Sequence, residues 1–303
     1  MRALQTLAVS GLLILMACFS TLGHAGLAGI DVPGAKRLIV SDWGGPPITL
    51  WYLRGPEVKA NAPIIFVMHG VGRDADRYLA EWRELALSND IIVVVPEYSQ
   101  ENFPGSAGYN FGGVFDKAGR LQPKTRWAYS SIEPLFDALR RHENLSAEQY
   151  WLFGHSAGAQ FVHRFVILGG AERMVAAIAA NAGSYLFPVD DVDWPFGLRG
   201  APDRSAAGVF ASPMILMLGD ADSDPNHRSL PRQPAAMAQG PHRFARGQNF
   251  YRTSRQIAER NDQPFNWSCV IVPGVAHDNA GIARAAIRII KGWKPTPGAD
   301  CAH

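Results

Sequence analysis

The sequence predicts a three-layered α/β fold: a mostly parallel sheet flanked by helices, with no large cap domain. Three observations predict it. Short continuous apolar runs alternate with stretches of helical spacing, the pattern of strands buried on both faces. The chain of 303 residues is 47% hydrophobic and 18% charged, enough apolar material for a sizeable core. The residues best suited to chemistry all fall just after predicted strands, where open α/β sheets bind their ligands.

The first 25 residues read as a signal peptide outside the fold. Met1-Arg2 gives a positive start, residues 7–19 are mostly apolar, and Gly23-His24-Ala25 supplies a small-x-small cleavage site. The apolar stretch is short for a membrane span. A secreted or periplasmic protein is therefore expected. The alternative is a membrane-anchored lipoprotein, because Leu15-Met16-Ala17-Cys18 resembles a bacterial lipobox, although Met16 fits it poorly. Residues 26–303 are expected to form a single domain.

Within that domain, residues 38–40 and 48–53 read as two early strands joined by Gly44-Gly45-Pro46-Pro47. Residues 63–68 are a continuous apolar run ending in His69-Gly70. Residues 75–87 have helical spacing, with Leu79, Trp82, Leu85 and Ala86 on one face. Residues 91–95 form another buried run, closed by Pro96. A helix follows at 130–139, striped by Ile132, Leu135, Phe136 and Leu139. Next come a strand at 150–153 and a helix at 160–168, then strands at 175–180 and 214–218. A helical stretch at 255–260, a strand at 267–272 and a helix at 283–293 complete the chain. With Cys18 removed, Cys269 and Cys301 remain, and two cysteines in an exported protein read as a disulfide. That bridge would pin the C-terminal tail to the sheet.

Composition excludes several classes. The net charge is +2 with scattered basic residues, so there is no nucleic-acid footprint. Cys and His lack zinc spacing and no Gly-rich phosphate loop is visible, so neither metal nor organic cofactor is expected.

The strongest local signal is Gly154-His155-Ser156-Ala157-Gly158, placed between the strand at 150–153 and the helix that follows. A G-x-S-x-G run on a strand-to-helix turn projects its serine above the sheet edge. A serine hydroxyl is a poor nucleophile until an adjacent base takes its proton, and the base needs a third group to orient it. Candidates follow in that order. Gly219-Asp220-Ala221-Asp222-Ser223-Asp224 comes directly after the strand at 214–218, and Gly274-Val275-Ala276-His277 after the strand at 267–272. His155 sits inside the turn, beside Ser156 rather than facing it, and His163 lies on the next helix. His142, His227 and His242 follow no predicted strand.

On these motifs, with His69-Gly70, the chain from about Leu38 onward resembles the serine esterases of the α/β-hydrolase superfamily. Within that superfamily it resembles secreted polyhydroxyalkanoate-depolymerase-like and cutinase-like esterases. The resemblance implies Ser156 as nucleophile, His277 as base and Asp222, three residues after Gly219, as the orienting acid, with Asp224 the alternative. It also implies an oxyanion hole made by the backbone N–H groups of Ala157 and Val71. The loop at His69-Gly70 departs from the longer HGGG run of many lipases. Aromatic residues in two segments at strand exits are candidates for substrate binding: Tyr109 and Phe111 in the first, Tyr185, Phe187 and Trp194 in the second.

The expected activity is hydrolysis of carboxylic esters, small or polymeric, through an acyl-enzyme. Its rivals are an amidase or peptidase using the same triad, and a non-catalytic scaffold of the same fold used for binding. A membrane is an expected partner only if Cys18 is lipidated.

Overall fold

The computed structural model describes residues 31–170, 172–202 and 209–301. The expected signal peptide and Cys18 lie outside them. Eight strands form one sheet in the order β1-β2-β4-β3-β5-β6-β7-β8. They are β1 (Lys36–Val40), β2 (Ile48–Leu53), β3 (Ile64–Met68), β4 (Ile92–Glu97), β5 (Tyr150–His155), β6 (Met174–Ala180), β7 (Met214–Gly219) and β8 (Trp267–Val272). β1 and β2 pair antiparallel, as do β2 and β4, while every pairing from β4 through β8 is parallel. Parallel neighbours require crossovers, and helices supply them.

The helices are α1 (Ala75–Ser88), the single turn α2 (Gly105–Gly108), α3 (Ile132–Glu143), α4 (Ala157–Ile167), the single turn α5 (Pro234–Met237), α6 (Arg243–Arg260) and α7 (Asn279–Ile290). α1 and α7 cover one face of the sheet, where Leu79, Trp82, Ile282 and Ala286 pack on Ile65, Val67 and Val93. α3, α4 and α6 cover the other, where Leu135, Phe136, Phe161 and Phe250 pack on Ile64, Phe66 and Leu216. Successive residues of β3 thus serve opposite cores, which is why the strand reads as unbroken apolar sequence. The segment between β6 and β7 contains no helix among its described residues.

Two helices differ from the sequence expectation. α6 starts at Arg243 instead of residue 255, because its buried face carries Arg243, Arg246 and Ser254 beside Phe250, Tyr251 and Ala258. Polar residues at core positions erase the apolar period by which a helix is recognised. α7 starts at Asn279 instead of residue 283, capped by the Asp278 carboxylate, which accepts from the N–H groups of Ala280 and Gly281 at 3.1 and 2.9 Å. Cys269 on β8 is bonded to Cys301 (S–S 2.00 Å), so the tail is tied to the sheet.

Candidate active site

Three loops meet above the carboxyl ends of β5, β7 and β8. The first is the turn from β5 into α4. Ser156 stands at φ 60°, ψ −117°, a conformation L side chains rarely adopt, held by its surroundings. Its N–H donates to the Ala180 carbonyl at 3.0 Å. The flanking glycines are required by close approach: a Cβ on Gly154 would lie 2.3 Å from the Gly158 carbonyl, and one on Gly158 would lie 1.9 Å from the Met68 carbonyl oxygen. The turn is therefore pressed against the end of β3.

The second loop leaves β7 and carries Asp222, the third leaves β8 and carries His277. They are stapled together: the Gly274 N–H donates to Asp220 Oδ1 at 2.7 Å. Buried Asn181, at the end of β6, bridges both, accepting from the Gly219 N–H at 2.9 Å and donating to the Ala276 carbonyl at 3.1 Å. The result is a hydrogen-bonded chain. His277 Nδ1 lies 2.7 Å from Asp222 Oδ2, and His277 Nε2 lies 3.0 Å from Ser156 Oγ. With Nδ1–H donated to the carboxylate, Nε2 keeps the lone pair that can accept from the serine hydroxyl. Asp224 does not reach the imidazole; its Oδ1 accepts from the Asn226 N–H at 2.8 Å on the surface.

The charge environment is built by Arg243, His155 and His227. Asp222 is 3% exposed and its second oxygen faces Arg243 Nη1 at 3.3 Å, the arginine side chain being 1% exposed. Arg243 also donates to Ser229 Oγ at 2.9 Å. Burial outweighs the attraction of Asp222 and lowers the guanidinium pKa from its ordinary value. The His277 ring lies between two other imidazoles, His155 at 4.6 Å and His227 at 5.2 Å between centroids. Burial, with the positive charge of His277 second, pushes His155 well below the ordinary histidine value. His227 is lowered too, first by burial and then by Arg243. Both neighbours thus resist adding a cation beside a protonated His277.

Ala157 N–H opens the first turn of α4, where donors have no intrahelical partner. Val71 is 64% exposed and borders the cleft. Its loop is fixed from below. His69 accepts at Nε2 from the Tyr98 N–H at 3.1 Å, and burial holds its pKa at about 4. The Tyr109 hydroxyl donates to the His69 carbonyl at 2.7 Å, and Arg73 lies over the Tyr109 ring at 4.4 Å.

Two adjoining clefts open at Ser156. The larger, about 640 Å³, is bordered by Val71, His155, His227 and His277. The smaller, about 260 Å³, is bordered by Val71, Ala157, Phe111 and Gln160. Among the candidate substrate aromatics, only Phe111 borders a cleft, with Arg164 stacked on it at 4.6 Å. Tyr109 and Tyr185 are corrected to scaffold positions: both are fully buried, the first under the His69 loop, the second stacked on Phe250 at 4.6 Å. Phe187 packs edge-on against Phe250, and Trp194 against Phe115. Phe196 is the residue of that second segment that borders the smaller cleft. Arg243, Asn181 and Gln160 were invisible as site residues, because each is a polar side chain inside an element or turn with no spacing rule to mark it. No cluster of His, Cys, Asp or Glu suited to a metal ion occurs among the described residues, and no described helix is long and apolar enough to cross a membrane.

Comparison with solved structures places the fold. A poly(aspartic acid) hydrolase from Sphingomonas sp. KT-1 is 40% identical, with a TM-score of 0.82 over 86% of this chain and 99% of that one. A poly(3-hydroxybutyrate) depolymerase from Bordetella parapertussis is 32% identical, with a TM-score of 0.81 over 87% of this chain and 92% of that one. The chain belongs to the α/β-hydrolase superfamily. An S-formylglutathione hydrolase from Agrobacterium tumefaciens, 14% identical with a TM-score of 0.53 over 88% of this chain and 96% of that one, shares the α/β-hydrolase fold. No protein-family model and no curated protein matches the chain.

Proposed function

We propose that this α/β-hydrolase is an exported serine hydrolase that cleaves carboxylic esters through an acyl-enzyme. The observation that carries the reading is the unbroken chain from Ser156 Oγ through His277 to Asp222, with contacts of 3.0 and 2.7 Å. Ser156 Oγ attacks the ester carbonyl as its proton passes to His277 Nε2. Asp222 holds the tautomer and stabilises the imidazolium. The N–H groups of Ala157 and Val71 receive the oxyanion. The tetrahedral adduct collapses, the C–O bond breaks, and the alcohol departs with the proton from His277. Water, deprotonated by His277, then releases the acid and restores Ser156. Export rests on the N-terminal segment and agrees with the Cys269–Cys301 bond; lipidation at Cys18 is its alternative.

A second reading, amide hydrolysis by the same residues, is favoured by one observation: the 40% identical relative is named for poly(aspartic acid), a polyamide. The experiment that separates them sets p-nitrophenyl esters beside p-nitroanilides of the same acyl groups, with wild type and Ser156→Ala. Ester turnover that falls on the order of a million-fold in Ser156→Ala is expected. Turnover of anilides alone would transfer the assignment to amides.

A further inference from the structure

The two clefts that meet at Ser156 are chemically different, and the difference assigns them to the two halves of the substrate. The leaving oxygen must take its proton from His277, which borders only the larger cleft. The acyl group stays bonded to Ser156 and must extend the other way, into the smaller cleft beside Ala157, which no imidazole among the described residues borders. A site for plain alkyl chains is lined mainly by apolar side chains. This one places Asn110, Gln160 and Ser184 against Phe111 and Phe196.

Gln160 is the informative member. It lies in the first turn of α4, its N–H bonded to the Ser156 carbonyl at 3.1 Å, and both residues border the smaller cleft. The side chain is 7% exposed, and its orientation is fixed by two donors. Asn110 Nδ2 and Ser184 Oγ donate to Gln160 Oε1 at 3.1 and 3.2 Å. Two donors use both lone pairs of that oxygen and leave Nε2 as the free end. No hydrogen-bond partner for Nε2 exists among the described residues. Gln160 lines the cleft wall beside Ser156, and its Nε2, which no protein acceptor occupies, is open to an acceptor that enters the cleft. Among the described residues the one charged side chain bordering this cleft is Arg228, a cation.

We infer that Gln160, clamped by Asn110 and Ser184, is a specificity-determining residue that selects acyl groups carrying an oxygen acceptor a few bonds beyond the scissile carbonyl. The inference rests on the ester-hydrolase reading and names the substrate class of that site.

The test uses matched p-nitrophenyl esters in which an ether oxygen replaces one methylene: methoxyacetate against butyrate, 3-methoxypropanoate against pentanoate, 4-methoxybutanoate against hexanoate. Each kcat/KM is divided by the ester's own hydroxide-catalysed rate. In wild type the best-placed ether is expected to exceed its alkyl partner about tenfold, the worth of one hydrogen bond gained in a desolvated site. In Gln160→Leu the ratio is expected to fall below about twofold, by the same principle. Ser184→Ala, which frees the amide to rotate, should give an intermediate ratio, and it decides the matter if Gln160→Leu does not fold. A wild-type ratio near one for every pair, or a ratio that survives these substitutions, overturns the inference. If no ester is turned over and a fluorophosphonate leaves Ser156 of folded protein unlabelled, the ester-hydrolase reading itself falls and takes the subsite with it. Labelling and turnover without preference remove the subsite alone.

Discussion

Replacing Arg243 with Met tests whether the acid of the site is held by a buried ion pair. The Arg243 and Asp222 side chains are 1% and 3% exposed and meet at 3.3 Å. Methionine fills much of the arginine's volume and removes its charge. Asp222 then keeps one strong partner, His277 at 2.7 Å, while its other oxygen is left buried without a cation. Breaking a buried pair by deleting one partner typically costs about 3–5 kcal/mol. The surviving bond to His277 places this case near the lower end, about 3 kcal/mol. The Ser229 hydroxyl loses its donor as well, at 2.9 Å in the intact protein. Urea unfolding of wild type, Arg243→Met, Asp222→Asn and the double variant forms a cycle that isolates the pair. The double variant buries no unpaired charge, so its loss should be smaller than the sum of the two single losses by about 2 kcal/mol. A loss under about 1 kcal/mol for Arg243→Met, or strict additivity, would refute the argument that the pair restrains Asp222.

Other outcomes follow from the same structure. Burial holds His69 at about 4, against an ordinary 6.5, and pushes His155 and His163 well below it. The unfolded chain takes up protons that these neutral rings refuse, so stability is full above pH 6.5 and falls as pH drops toward 4, His69 alone contributing about 3 kcal/mol. The pH dependence of the urea midpoint measures this, and a midpoint flat from pH 6.5 to 4.5 would contradict it. Reducing Cys269–Cys301, which are 32 residues apart, should lower stability by about 3–4 kcal/mol through loop entropy; an unchanged melting temperature in dithiothreitol would show that the other tail contacts suffice. Asp222→Asn should lower kcat/KM about ten-thousand-fold by permitting the wrong histidine tautomer, whereas Asp224→Asn should leave it nearly unaltered. The reverse order would mean that a different carboxylate serves the imidazole.

What the sequence made legible had local causes. The turn at Ser156 is recognisable because its geometry demands glycine at both flanks, within five residues. Asp222 and His277 are recognisable because each follows a continuous apolar run. Those runs are neighbours in the sheet, Met214 opposite Trp267 and Gly219 opposite Val272, which brings the two loops to one edge. What stayed hidden depends on burial. Aromatic rings in a loop look alike in sequence whether they border a cleft, as Phe111 does, or prop it from beneath, as Tyr109 does. The first half of α6 is hidden in the sequence because Arg243 and Arg246 occupy buried positions that hydrophobic residues usually fill. Arg246 is there to donate to the carbonyls of Gly183 and Pro231, at 2.6 and 3.1 Å, tying down two loops beside the smaller cleft.

The central claim, that Ser156 is an activated nucleophile, is tested most directly by treating the folded protein with a fluorophosphonate and weighing it intact. The account predicts one adduct per chain, carried by the peptide containing Ser156 and absent in Ser156→Ala. A folded protein that takes up no reagent, or takes it up on another residue, would contradict it.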